Sequence, residues 1–198
     1  MISPLVTKEV DYRTTQADVF SELLSKRIIY FSGEVTQETC DTVIAELLYL
    51  QSVDSKAPIS MYIDSPGGEV YSGLALYDTM LLVGKTCKLT TVCTGMAASM
   101  GSILMCAGSE RLALPHSRIM IHQPLSGTGM AQASDIEIIA KETNNLKTEL
   151  LQILSDRSGK KFDEVLKDCD RDHWLRADEC LPGKYGKKGL IDKIIKEL

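Results

Sequence analysis

The sequence predicts an α/β protein in which strands and helices alternate around one layered core. Three observations carry this. Short β-branched apolar runs recur along the chain, apolar residues at helical spacing follow most of them, and glycines stand at several of the junctions. The chain has 198 residues, 44% hydrophobic and 25% charged, which suits one domain able to bury a sizeable core.

Taken in order, a polar segment ending near Thr15 leads to a short amphipathic helix around Val19, Phe20, Leu23 and Leu24. Arg27–Ser32 reads as the first strand, stopped by Gly33, and Cys40, Val43, Ile44, Leu47 and Leu48 recur as a helix. Ile59–Ile63 gives a second strand ending in Asp64, Ser65, Pro66, Gly67, Gly68, before Val70, Leu74, Tyr77, Met80 and Leu81 resume a helical pattern. Leu89–Thr94 is a third, buried strand, and Ile103–Cys106 a third helix. Two short strands follow, Arg111–Leu114 and Arg118–His122, separated by Pro115. A small-residue loop, Ser126–Ala133, precedes a long helix from about 134 to 158, closed by Gly159. That helix carries more apolar surface than the core can cover, which points to contact with another subunit. The remainder, Phe162–Leu198, is charged and broken by Pro182, Gly183, Gly186 and Gly189.

A net charge of -5 and no Lys/Arg cluster argue against a nucleic-acid binder. The six cysteines include no Cys-x-x-Cys pair and several lie in apolar runs, so they read as reduced, metal-free core residues. No run is long enough to span a bilayer and the first residues do not form a secretion signal, so a cytoplasmic protein is expected.

The stretch that carries chemistry is Gly95–Gly101, where Ser99 falls on a strand-to-helix turn. A hydroxyl there lies beside helix N–H groups that lack intrahelical partners and can bind developing negative charge, as an acyl-transfer nucleophile requires. On spacing alone the plainer reading is favoured: a tight junction whose serine caps the helix. The usual nucleophile elbow has glycines both two before and two after the serine, and here Ala97 takes the first of those places. Of the three histidines, His122 is the best base, because it ends a strand where its ring can face a cleft, although a core histidine bonded to backbone is at least as common. His116 reads as a loop residue and His173 as a packing or interface residue. An orienting acid could come from the run Asp168, Asp170, Asp172, which is otherwise a solvated face. The backbone N–H of Met100, with one from Gly67 or Gly68, would make an oxyanion pair. Neither a Walker loop nor a dinucleotide glycine pattern is present.

Five stretches in order then carry a resemblance: Ile63–Gly68; Tyr77, Asp78, Thr79; Gly95–Gly101; Met120, Ile121, His122, Gln123, Pro124; and Asp170, Arg171, Asp172. The chain resembles the proteolytic subunits of Clp proteases, the ClpP family, in register from about Val19 onward. The resemblance implies a ClpP/crotonase-like fold with residues 1–17 as an axial segment, 18–198 as one protease domain, and the long helix as a handle joining two stacked heptameric rings. It implies Ser99 as nucleophile, His122 as base, Asp172 as orienting acid, Gly68 and Met100 as oxyanion donors, and Tyr62 in a groove that docks an AAA+ unfoldase of ClpX, ClpA or ClpC type. The chain itself is expected to need no cofactor, ATP being used by that partner.

Departures from the family pattern are Asp64 and His116 in place of asparagines, Ala131 for a glycine at the handle, and Ser60 for an aromatic near Tyr62. A longer connection at Leu82–Cys87 and a shorter one at Gly108–Arg111 are expected to be surface turns. Cys180–Lys184 breaks a helix that is usually continuous, which is expected to loosen Asp172. Two alternatives stand beside the protease reading: a crotonase-type acyl-CoA enzyme, which would not need all three triad residues, and a weakly active or noncatalytic ring paralogue that assembles with an active family member.

Overall fold

A computed structural model of the protein describes residues 4–10, 13–127 and 129–196. Within the leading segment, Leu5–Val10 (β1) and Arg13–Asp18 (β2) pair antiparallel as a hairpin, with Leu5 opposite Asp18. Residues 1–3 and 11–12 of the expected axial segment lie outside the described residues. Asp18 ends β2 and caps helix α1 (Val19–Ser25), its carboxylate accepting from the amides of Phe20 and Ser21.

The core is a seven-stranded sheet. Ile28–Val35 (β3), Ile59–Gly68 (β4), Leu89–Ala98 (β5) and Glu110–Ala113 (β6) run parallel, joined at the edge by Lys193–Ile194 (β9). Arg118–Ile121 (β7) pairs parallel with the far end of β5, and His173–Arg176 (β8) pairs antiparallel with β7. Alternate residues of the parallel strands, Ile29, Phe31, Met61, Ile63, Leu89 and Cys93, are buried, while Tyr30 and Tyr62 on the intervening positions are not. Helix α2 (Gln37–Val53) packs on α3 (Val70–Val83), and the short α4 (Met100–Cys106) packs on β4, β5 and α3.

Three strands run further than the periodicity predicts, because bulges carry them through residues that read as stops. Gly33, at φ +94°, stands opposite a bulge of β4, where Ser65 and Pro66 face it between the pairs Ser32–Asp64 and Glu34–Gly67, so the strand continues to Val35. On β5, Thr94–Met96 stand opposite the single Asp64 of β4, between the pairs Ile63–Cys93 and Ser65–Ala97. The Asp64 carboxylate accepts from the amide of Met96 at 2.9 Å, and Gly95 is packed so closely on it that a Cβ would clash. This bulge redirects β5: its first half pairs with β6 and its last residues with β7.

Helix α5 (Ala133–Ser158) is closed by Gly159 at φ +68°, whose amide donates to the Ser155 carbonyl at 2.8 Å. Its buried residues begin only at Leu150, while Ile136 and Ile138 are exposed on the earlier turns. After α6 (Phe162–Asp168) and β8, a 3₁₀ turn at Ala177–Cys180 ends where Leu181 and Pro182 follow. The chain then folds back on the core through buried Tyr185, Leu190 and Ile191. Arg111 fastens this return, pairing with Asp192 at 2.6 Å and donating to the carbonyls of Gly189 at 2.9 Å and Arg157 at 3.2 Å. The Gly108–Arg111 connection is therefore not a plain surface turn: Gly108 and Arg111 are buried at its two ends, whereas Lys85 in the other connection is exposed.

Candidate active site

Ser99 stands between β5 and α4 with φ 51° and ψ -122°, a backbone state that costs a non-glycine residue about 1–3 kcal/mol. Its surroundings enforce it. The Ser99 amide donates to the Met120 carbonyl at 2.8 Å, and the Ser99 carbonyl accepts from the amide of Ser102 at 2.9 Å and its hydroxyl at 2.6 Å. Every residue of α4 is buried, so the helix that follows cannot shift to relax the turn. The serine does not cap that helix through its side chain, which corrects the plainer sequence reading. Its Oγ lies 2.8 Å from His122 Nε2 instead.

His122 follows β7, and the parallel pairing of Ala98 with Met120 brings the ends of β5 and β7 side by side. Its side chain is 13% exposed, and Nδ1 lies 3.0 Å from the Asp172 carboxylate, which is 63% exposed. An ionised carboxylate can only accept, so Nδ1 carries the hydrogen and Nε2 is left to accept from the Ser99 hydroxyl. Asp172 is held from both sides: β8 begins at the next residue, and Gln123 binds the preceding turn through its amide to the Cys169 carbonyl, 2.9 Å, and through Nε2 to the Asp170 carbonyl, 3.1 Å. The stretch after Asp172 is strand β8 and a 3₁₀ turn rather than the interrupted helix expected from the sequence, and Leu181–Lys184 follow that turn.

The remaining candidates lie elsewhere. Asp168 pairs with Lys160, Asp170 is exposed beside Arg171, and His116 is an exposed loop residue. His173 packs edge-on against Tyr185 with ring centroids 6.2 Å apart. All six cysteines are free and buried, and burial pushes the thiols of Cys93 and Cys169 up to about 11 and about 12, far from a usable thiolate.

Gly67 and Gly68 belong to the end of β4 rather than to a free turn, Gly68 facing Val35 of β3 across the ladder. Gly67, at φ +92°, fits against the serine turn so tightly that a Cβ would stand 2.6 Å from Ser99 Cβ and 2.9 Å from the Met100 nitrogen. Gly68 and Met100 line, with Ser99 and His122, a cavity of about 280 Å³ whose walls are otherwise mostly apolar: Val70, Ile103, Leu150 and Leu154. Met100, as the first residue of α4, has an amide with no acceptor inside its helix. Tyr62 is outside this cavity, half-buried on β4 beside Tyr30.

Sequence reasoning missed two contributors. Leu150 and Leu154 reach the cavity from the far end of α5, and no local pattern marks a helix face as a pocket wall. Ser65, wholly buried, donates to the Gly33 carbonyl at 2.6 Å and accepts from the Gly67 amide at 3.1 Å. In the sequence it is one polar residue among turn formers.

Among the described residues no helix is long and apolar enough to cross a membrane. The family model for Clp protease matches residues 11–198. An ATP-dependent Clp protease proteolytic subunit of Porphyromonas gingivalis is 48% identical over 198 residues, covering 99% of this chain and 86% of the relative. One from Bacteroides fragilis is 48% identical over 196 residues, 98% of this chain and 91% of the relative. Subunit 3 from Parasynechococcus marenigrum is 46% identical over 200 residues, with 97% and 96% covered. Matches of this extent, on a mixed α/β fold with a mainly parallel sheet, mean that the chain belongs to the Clp protease family of peptidases.

Proposed function

We propose that the chain is a serine endopeptidase with Ser99 as nucleophile, His122 as general base and Asp172 as the acid that orients it. The observation that carries this reading is the continuous relay from Asp172 to His122 to Ser99, at 3.0 and 2.8 Å. Ser99 Oγ attacks the scissile carbonyl carbon as its proton passes to His122 Nε2. Asp172 stabilises the resulting imidazolium and keeps the ring in the productive tautomer. The amides of Gly68 and Met100 receive the carbonyl oxygen as it gains negative charge, the usual role of an oxyanion pair. His122 then protonates the leaving amine, and a water activated by the same imidazole hydrolyses the acyl-enzyme. The apolar walls beside Ser99 suit an unbranched or branched aliphatic side chain next to the cleaved bond.

We further propose that the chain works as a ring-forming subunit in the cytoplasm, α5 pairing two heptameric rings so that the serines face a closed chamber and residues 1–17 line its axial entrance. The exposed Ile136 and Ile138 support the helix as a contact surface. An AAA+ unfoldase of ClpX, ClpA or ClpC type would deliver unfolded polypeptide and spend the ATP, docking in the groove beside Tyr62. The assembled contacts of Asp172, His122 and Ser99, at 3.0 and 2.8 Å, favour an active subunit over a noncatalytic ring partner.

The test pairs a fluorogenic peptide with a folded reporter, each incubated with the protein alone and then with an unfoldase and ATP. The peptide should be cut by the protein alone and the folded reporter only with the partner, because unfolding it works against several kcal/mol of stability. Degradation of the folded reporter by the protein alone would contradict a closed chamber.

A further inference from the structure

Ser65, a buried polar residue next to the site, sits in the bulge of β4 and ties its two sides together. Its hydroxyl donates to the carbonyl of Gly33, opposite it on β3, and accepts from the amide of Gly67, where the β3–β4 pairing resumes. Its side chain is closed off from solvent, so neither bond has water as a substitute. The contact continues into the serine turn. Gly67 is wedged against Ser99 Cβ, the Ala98 carbonyl and the Met100 nitrogen, and Gly101 sits on Ser65 itself, a Cβ there meeting the Ser65 carbonyl oxygen at 3.0 Å.

We propose that Ser65 is a positioning residue for peptide hydrolysis: through Gly67 it fixes the spacing between the Pro66–Gly68 segment and the Ser99–Met100 turn. This rests on the serine-peptidase reading above, since those two segments supply the amides assigned to the oxyanion. The relay itself does not pass through Ser65. Asp172 and His122 are placed by β7 and β8, and neither strand touches the Ser65 hydroxyl bonds. Loss of the hydroxyl should therefore disturb the oxyanion side of the site and leave the base side as it was.

That division makes the role distinguishable from mere support of the fold. Ser65→Ala should lower kcat on a fluorogenic peptide about 10- to 100-fold, somewhat less than outright removal of an oxyanion donor. KM should stay within about 2-fold, because the apolar side chains of the cavity wall, Val70, Ile103, Leu150 and Leu154, lie on other segments. A peptide boronate, whose tetrahedral adduct uses the same donors, should lose affinity in parallel with kcat, and the pH dependence of kcat/KM should keep its midpoint. Ser65→Cys, whose larger sulfur is a weaker donor and acceptor on a longer bond, should show the same pattern and serves if the alanine variant does not fold. Ser158→Ala is the control: it removes another fully buried hydroxyl, bonded to the Leu154 carbonyl at 2.6 Å, and should lower the melting temperature without changing kcat.

An unchanged kcat in both Ser65 variants overturns the proposal. So does a fall in kcat accompanied by a displaced pH midpoint or a matching rise in KM. An unsubstituted protein that neither cuts the peptide nor reacts at Ser99 would instead remove the peptidase reading, and this role with it.

Discussion

His122 meets Asp172 because Ile121 meets His173. On the antiparallel ladder of β7 and β8 the pairs run Arg118–Arg176, Ile119–Leu175, Met120–Trp174 and Ile121–His173, so the next position on each strand brings the imidazole and the carboxylate together at 3.0 Å. A pairing across 50 residues of chain is thus fixed by strand register, not by the loops around it. Asp172→Asn keeps the shape of the contact but reverses the hydrogen bond that sets the tautomer. It should lower kcat by on the order of 10²-fold or more, with KM little changed. A variant with near-normal kcat on a fluorogenic peptide would show that Asp172 does not orient the base.

The strained backbone at Ser99 can be read independently of catalysis. Ser99→Ala and Ser99→Gly should both be inactive, yet the glycine variant should be the more stable by about 1 kcal/mol, since only glycine occupies φ 51° and ψ -122° at little cost. Differential scanning calorimetry of the two decides it, and an alanine variant that melts as high as the glycine one would mean that the turn relaxes.

At Gly67 the same turn is held from outside. Gly67→Ala would place a Cβ 2.7 Å from the Ala98 carbonyl oxygen and 2.6 Å from Ser99 Cβ, on a residue with φ +92°. Because neither neighbour is a flexible side-chain end, peptidase activity should fall by at least about 10²-fold even where circular dichroism shows a folded protein. Full activity would mean that β4 and the serine turn move apart without consequence.

Arg111 is expected to matter for stability alone. Its side chain is 6% exposed and serves Asp192 together with the carbonyls of Gly189, Lys188 and Arg157. Arg111→Met strands those acceptors and should cost about 3 kcal/mol, read as a lower denaturant midpoint. The kcat of the folded fraction at low temperature should match the unsubstituted protein.

The alternation of strands and helices was legible because each parallel strand is buried on one face and each helix keeps its apolar stripe; β3, β4, β5, α2, α3 and α5 fall where periodicity puts them. Strand ends were not. Gly33, Pro66, Gly67 and Gly95 look like stops, but bulges absorb them, and a bulge depends on the neighbouring strand rather than on the residues it contains. The hairpin β1–β2 was missed because its short polar strands carry little apolar alternation. Ser99 and His122 could be singled out by their places at strand ends, whereas spacing could not choose among Asp168, Asp170 and Asp172. That choice came only from family likeness, and it is the register of β8 on β7 that brings Asp172, and neither of the others, to His122. Ser65 left no mark in the sequence because burial of a hydroxyl is decided by partners 32 residues away.

The relay of Asp172, His122 and Ser99 is tested most directly by covalent labelling. The protein is incubated with a fluorophosphonate probe and the adduct mapped by mass spectrometry, in the unsubstituted chain and in His122→Ala. One adduct on Ser99, suppressed by about 10²-fold or more in rate when the base is removed, is the expected result. An adduct on any other serine, or undiminished labelling of Ser99 in His122→Ala, would contradict the assignment of nucleophile and base.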